Sequence, residues 1–435
     1  MHDQFHTESI NHISVHFMPT TKYKTNFISV YLRQPLREET HTQAALLPFV
    51  LKRGTMLHPT AKSIERALND LYGATLTTDV YKRGEEQVMV FRLQLANEKF
   101  LRDKEPLFEK GIRLLSEILS QPRLEDGIFY QRHVELEKDL LSRRLSQIKD
   151  DKIRYASKRC VEEMFKDEPY RLFAYGSPEQ IPHITAESLY TYFQEVIRHY
   201  PIDLFVVGDL PQEKVRELVA QSFNWSRRPK EKTWVTSPGH HVRKVRQVVE
   251  KTKIAQGKLN IGCRTWTVYK DDDYVPLLVF NGLFGGFSHS KLFRHVREKE
   301  SLAYYISSSI ESHKGFMMIM SGIDFNNFAK TVDIIQDQLK QVQRGEMTDE
   351  ELDQTKALLI NQIKEDNDQP FHLMERFYHG IIGGMNRNGS QLIEAITRVS
   401  KDDVVRVAEK IELDTIYFLT SEEAGDKHGP HDPHL

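Results

Sequence analysis

The chain has 435 residues and a formal net charge of -2, from 60 lysines and arginines against 62 aspartates and glutamates. Because the two signs balance, the composition gives no support for a nucleic-acid partner. The sequence contains neither an export signal nor an apolar run of the roughly 18 residues that a membrane helix needs, so we expect a cytoplasmic protein without membrane insertion. The two cysteines lie far apart, which argues against a disulfide framework and a zinc ribbon.

The two halves of the chain resemble each other. Shifting the sequence against itself aligns several residues: Arg33 with Arg264, 46–49 with 277–280, Gly54 with Gly285, and Gly84 with Gly315. Both halves also share an order of predicted elements, namely a strand, an apolar helix, a second helix, a strand pair broken at the matched glycine, long helices and a closing strand. The sequence therefore predicts an α+β fold of two similar tandem domains from an internal duplication, each a sheet backed by helices.

The predicted boundaries follow from a polar stretch in the middle of the chain. Residues 226–246 are rich in charged residues, proline and glycine and show no apolar period, which is typical of a linker. We therefore predict an N-terminal domain over 1–225 and a C-terminal domain over 247–435.

The second half carries a glycine-rich motif that leads into a charged run. Residues 283–293 read LFGGFSHSKLF, and residues 296–304 read VREKESLAY. This run is similar to the "L-G-G-x-x-S-S-x-L-F … V-R-E-x-x-G-L-A-Y" motif of the pitrilysin/insulinase (inverzincin) zinc peptidase family, and most resembles its short two-domain bacterial branch. Weaker echoes at 71–74, 175–179 and 208–209 extend the resemblance over nearly the whole chain. The resemblance implies the tandem two-domain fold of that family.

The metal motif of the family is degenerate in this chain. Active members carry H-x-x-E-H, in which two imidazoles on one helical face bind zinc while the glutamate acts as general base on the zinc-bound water. The Arg-Gly-Thr anchor that follows the motif is present at 53–55, but the motif positions hold Ala45, Pro48 and Phe49. The third family ligand aligns with Arg144, a cation that would repel zinc. We therefore expect this chain to bind no zinc cofactor there, as in the inactive subunits of the branch.

Other histidines offer weaker metal sites. His372, Glu375 and His379 share one face of a predicted helix, but the two histidines lie two turns apart, ~10 Å, too far to share an ion unless the glutamate bridges them. The tail also carries His428, His431 and His434. A disordered terminus is the favoured interpretation of the tail, and whether it binds metal stays open.

Two polar residues of the family motif are retained, Arg297 and Tyr304. A predicted helix over 292–298 and a predicted strand over 302–310 bring them together across a short turn, and alternation puts Tyr304 on the face of Ile306. In the family, the equivalent residues face the zinc site across the peptide-binding chamber and hold the substrate backbone and the developing oxyanion. A guanidinium and a phenol suit this role because both are preformed donors. The alternative is a buried arginine with an internally bonded tyrosine.

Some short family members are heterodimers in which one subunit supplies the zinc motif and the other supplies the arginine and tyrosine. The resemblance therefore implies that this chain, inactive alone, is the non-metal subunit of a zinc metallopeptidase that processes peptides, with zinc in an H-x-x-E-H partner. One alternative is a catalytically inactive homodimer that binds peptides or acts as a scaffold. Another is an independent hydrolase with a metal at His372, Glu375 and His379. The sequence reveals neither the substrate nor the cleavage preference.

Overall fold

The computed structural model describes residues 4–102, 105–230, 236, 239 and 241–422. Its strands are β1 (His6–Ile10), β2 (Ile13–Pro19), β3 (Thr25–Pro35), β4 (Thr75–Arg83), β5 (Glu86–Ala96), β6 (Leu124–Glu125), β7 (Ile128–Phe129), β8 (Ile202–Gly208), β9 (Arg246–Thr252), β10 (Gly257–Arg264), β11 (Ala303–Glu311), β12 (Phe316–Ile323) and β13 (Glu412–Ser421). Its α-helices are α1 (His41–Leu51), α2 (Ala61–Asp70), α3 (Leu107–Ser120), α4 (Gln131–Asp150), α5 (Lys152–Met164), α6 (Ala186–His199), α7 (Gln212–Ser222), α8 (Tyr274–Asn281), α9 (Phe328–Gln343), α10 (Asp349–Asp366), α11 (Pro370–Gly383), α12 (Gly389–Arg398) and α13 (Lys401–Glu409). Two further turns, Gly282–Gly286 and Phe293–Lys299, are π-helical.

Contacts divide the described residues into two compact units. The first unit contains the described residues of 1–146 and 172–235, together with 370–374. The second unit contains 147–171 and the described residues of 236–369 and 375–435. None of the helices in the described part of the chain combines the length and apolar character that crossing a membrane requires.

The first unit is built on a six-stranded sheet in the order β1-β2-β8-β3-β5-β4. β2 and β8 run parallel, and the other neighbouring pairs are antiparallel. Every residue of β8 is buried, as expected for a central strand whose two faces are both covered. Helix α1 packs on the β4–β5 end of the sheet. This packing buries Leu46 and Leu47 completely.

The second unit is built on a five-stranded sheet in the order β11-β12-β10-β13-β9. Strand for strand this order repeats β4-β5-β3-β8-β2, and the one parallel pair, β13 with β9, takes the place of β8 with β2. The matched glycines Gly84 and Gly315 lie in the turns of the matched hairpins and both have positive φ, at 53° and 76°. The matched Arg33 and Arg264 are both buried. The predicted α+β fold with two similar units is therefore confirmed.

One helix of the predicted N-terminal domain lies with the other unit. We predicted that 1–225 form one domain, yet α5 packs on β10 and β13 of the second unit. Its apolar stripe of Ala156, Cys160 and Met164, one turn apart, is buried in the same cluster as Tyr417 and Leu419. The helix is placed there because burying this stripe against the second sheet removes apolar surface from water.

The predicted linker falls only partly within the described residues. Of 226–246, the structure describes 226–230, 236, 239 and 241–246, whereas 231–235, 237–238 and 240 lie outside the described residues. Its last residue, Arg246, already belongs to β9.

Candidate functional site

Apolar side chains occupy the positions at which the family's zinc ligands would lie. Ala45, Pro48 and Phe49 all belong to α1, and Ala45 and Pro48 are buried. Pro48 lies inside the helix, where it removes one backbone donor. The helix nevertheless continues to Leu51, and the amide of Lys52 donates to the carbonyl of Pro48 at 3.2 Å.

Arg144 on α4 completes this group, which we call the filled site: Ala45, Pro48, Phe49 and Arg144. Its guanidinium carbon lies 4.2 Å from the ring centre of Phe49 and 5.7 Å from that of Tyr175. The sequence alignment assigned Arg144 and Phe49 to one site, and the structure brings them together. A guanidinium over an aromatic face is attracted by the ring quadrupole. Alanine, proline, phenylalanine and arginine offer zinc no ligand, so the residues present do not fit this metal.

Two carboxylates on α3 and α4 are engaged by side chains that follow α1. Glu137, which precedes Arg144 on α4, accepts from Arg53 Nε at 2.6 Å. Glu117 on α3 accepts from Thr55 and lies 2.9 Å from His58 Nδ1. Within the described residues, no three His, Cys, Asp or Glu side chains are arranged to hold a metal ion.

His133 has a shifted pKa, and the sequence did not single it out. It lies on α4 and is 7% exposed. Burial, followed by the charges of Arg123 and Arg53, lowers its pKa from 6.5 to about 4. Gly54 leaves room for its ring, because a Cβ on Gly54 would lie 2.8 Å from His133 Cε1. His133 is therefore a neutral, packed imidazole at neutral pH.

On α11, which carries the alternative metal site of His372, Glu375 and His379, one histidine pairs with another histidine outside the helix. His379 Nδ1 lies 2.8 Å from His313 Nε2, and the two rings stack with a centre separation of 5.0 Å. His372, at the start of the helix, is exposed. The third histidine group considered for metal binding, His428, His431 and His434, lies outside the described residues.

Arg297 and Tyr304, which we call the exposed pair, lie on the surface of the second unit. The Tyr304 side chain is 69% exposed, and Arg297 is exposed on the π-helical turn Phe293–Lys299. The Arg297 guanidinium lies over the Phe293 ring, with its carbon 4.8 Å from the ring centre. Neither side chain forms a hydrogen bond or ion pair with any residue that the structure describes. The alternative of a buried arginine with an internally bonded tyrosine is wrong.

A β-bulge sets the direction of Tyr304. Ala303 pairs with Ile323 and Tyr305 pairs with Gly322, so Tyr304 is an extra residue without a partner in the ladder. A bulge of this kind rotates the side chain out of simple alternation. The prediction that Tyr304 shares a face with Ile306 is therefore wrong, because Ile306 is buried whereas Tyr304 is exposed.

The glycine-rich motif and the charged run both include π-helical turns, a form that often marks functional sites. Two glycines of the first turn allow close approach, because a Cβ on Gly285 would lie 2.6 Å from Ser308 Oγ and one on Gly282 would lie 2.7 Å from Thr355. Ser301 precedes β11 with a left-handed φ of 52°. The family motif has glycine at this position, which adopts this φ without strain.

Known proteins resemble this chain in sequence and fold. Residues 183–359 match the family model described as Peptidase M16 inactive domain. The chain is 41% identical over 413 residues to the probable inactive metalloprotease YmfF of Bacillus subtilis (strain 168), covering 94% of this chain and 96% of that protein. It matches the crystal structure of a conserved protein from Enterococcus faecalis V583 with a TM-score of 0.91 and 30% identity, over 97% of this chain and 100% of that one.

A more distant structure shares the fold. The match to a protease from Helicobacter pylori has a TM-score of 0.79 at 16% identity, over 96% of this chain and 99% of that one. Because the sequence relationship to YmfF covers nearly the whole length of both proteins and the filled site has no zinc ligands, the chain belongs to the M16 (pitrilysin/insulinase) family as an inactive metalloprotease homologue.

Proposed function

We propose that this chain is the non-metal subunit of a heterodimeric zinc peptidase that processes peptides. An H-x-x-E-H subunit would carry the zinc, and this chain would contribute Arg297 and Tyr304 to substrate binding in a shared chamber in the cytoplasm. The observation that supports the proposal is the exposed pair itself, whose polar groups point outward without a hydrogen-bond partner in the described chain. In the same chain, the metal-ligand positions hold packed side chains that cannot bind zinc.

The chemistry of the exposed pair suits a peptide substrate. A guanidinium and a phenol both donate hydrogen bonds, and a peptide carbonyl accepts them. Such donors stabilise an oxyanion more strongly once a closed chamber has excluded water, because the local dielectric constant falls. The bulge at Tyr304 helps to fix the direction of the phenol before substrate arrives.

Native mass spectrometry of the tagged protein, purified gently from its own host, tests the pairing. The proposal predicts a complex with a second chain of similar mass and one zinc ion. A metal-free homodimer that binds peptides would overturn it and support the homodimeric peptide-binding protein.

Substitution of the exposed pair tests its role in the assembled complex. We expect Arg297→Gln and Tyr304→Phe each to lower kcat/KM for a peptide substrate by ~100-fold, the usual cost of removing one oxyanion donor, while the two subunits still associate. Matched controls are Lys299→Gln, on the same π-helical turn, and Tyr305→Phe, at the next position of β11. If turnover survives both substitutions of the exposed pair unchanged, the proposed role fails.

A further inference from the structure

A cavity of about 680 Å³ opens in the second unit, and neither the filled site nor the exposed pair lines it. This volume lies within the ~300–1,000 Å³ typical of small-molecule sites. Five cationic side chains face three carboxylates in its lining. The cations are Lys166, Arg243, Lys244, Arg246 and Arg264.

Arg264 lines the cavity with one donor group unused. It is 3% exposed, and its Nη2 and Nε donate to Glu168 and Asp414, each at 2.8 Å. Its Nη1 is buried and has no hydrogen-bond acceptor among the described residues. Gly239 covers this nitrogen, because a Cβ added to Gly239 would lie 2.4 Å from it, so Nη1 contributes an incompletely compensated positive charge beside the cavity.

The carboxylates of the cavity are already compensated. Glu168 Oε2 also forms an ion pair with Lys314 Nζ, at 2.5 Å, and the Lys314 side chain is completely buried. Arg264 and Lys314 together therefore neutralise Glu168 and Asp414. The cations at the rim have no such compensation.

The rim holds an excess of positive charge. Lys166, Arg243 and Lys244 are exposed, and none of them forms an ion pair within the described residues. Asp167 is the one exposed carboxylate of the lining. A ligand that enters the cavity therefore meets a net positive field.

We propose that this cavity binds a small molecule that carries a phosphate or carboxylate group. The oxyanion is bound and neutralised by the rim cations, as arginines and lysines commonly do for these groups, and the Arg264 guanidinium adds positive charge from the wall. Met164 and Val242 offer apolar surface for the rest of the ligand. His241, whose ring lies 4.5 Å from that of Trp266, forms part of the same wall. The inference is independent of the peptidase proposal, because it requires no partner subunit.

Isothermal titration calorimetry of the full chain tests this site. Inorganic phosphate and citrate serve as separate probes, each titrated against chloride at matched ionic strength. We expect saturable binding of at least one probe and an affinity at least tenfold lower in the double variant Arg243→Gln/Lys244→Gln. These rim residues are exposed, so the variant keeps the buried Arg264 network intact and should fold.

A control variant separates the cavity from general charge. Lys340→Gln/Lys364→Gln removes two exposed lysines from α9 and α10 and should leave the affinity unchanged. Binding of phosphate alone, or of citrate alone, supports the site and identifies the ligand class. The inference is overturned if neither probe saturates, or if the control variant weakens binding as much as the rim variant does.

Discussion

The filled site and the exposed pair differ in how their side chains are used. In the filled site, Ala45 and Pro48 are buried, and the only charge, on Arg144, lies against the half-buried Phe49 ring. In the exposed pair, Arg297 and Tyr304 extend into solvent. The side chains of the filled site contribute to the packing of the fold, whereas the exposed donors of Arg297 and Tyr304 add little to stability. This difference agrees with the proposed role of the exposed pair in a contact outside this chain.

Restoring the zinc ligands tests the packing of the filled site and should have the largest effect on stability. The variant Ala45→His/Pro48→Glu/Phe49→His/Arg144→Glu buries polar groups in an apolar, packed position. We expect it to lose at least ~3 kcal/mol in free energy of unfolding, measured by urea denaturation without metal. A metal-free variant with the wild-type urea midpoint would show that this region is not packed as described.

Acid should produce the next largest effect, through His133. Its pKa is about 4 in the folded state against 6.5 for the free side chain, so the unfolded chain binds a proton that the folded chain does not. Its contribution to stability is therefore fully present above pH 6.5 and is lost as the pH falls towards 4. Each unit of pKa difference corresponds to ~1.4 kcal/mol. Urea midpoints measured across this range should fall less steeply for His133→Gln, and equal slopes would contradict the assignment.

Removal of the Arg144 side chain should have a smaller effect on stability, and it tests the stacking of Arg144 on Phe49. Arg144→Ala deletes the cation above Phe49 and Tyr175 and should lower the free energy of unfolding by ~1 kcal/mol. The control is Arg143→Ala, at the exposed neighbouring position of α4, which should change it by less than ~0.5 kcal/mol. Equal losses in the two variants would remove the case for this stacking.

The exposed pair should give the smallest effect on stability. Because neither side chain has a hydrogen-bond partner in the described chain, Arg297→Gln and Tyr304→Phe should each keep the free energy of unfolding within ~0.5 kcal/mol of wild type. Chemical denaturation of the isolated chain measures this. A loss above ~1 kcal/mol would place these side chains in the fold instead of in a binding surface.

Residues matched at a fixed spacing made the repeated fold and the degenerate metal motif predictable from the sequence. The matched Gly84 and Gly315 indicated two hairpins of the same kind, since each permits the positive φ that its turn adopts. The resemblance aligned Phe49 and Arg144 with zinc-ligand positions of one site, and the two side chains are in contact in the structure.

Features that depend on tertiary contacts were not predictable. The stripe of Ala156, Cys160 and Met164 identifies α5 as amphipathic, but it does not specify which sheet the helix covers. The bulge at Tyr304 also leaves no mark in the alternation of side chains, because one unpaired residue changes the backbone register without changing composition. The low pKa of His133 was not predictable, because it arises from burial and from the charges of Arg123 and Arg53, which only the fold places around the ring.

The bulge makes the direction of the phenol depend on the length of the segment. Tyr304 points outward because one extra residue is fitted between the pairs formed by Ala303 and Tyr305. A deletion of one residue beside Tyr304 would restore strict alternation and turn the ring to the opposite face, even if every other residue stayed the same. Many substitutions around it would leave the ring in place. The number of residues in this segment therefore sets the direction of the ring as much as their identity does.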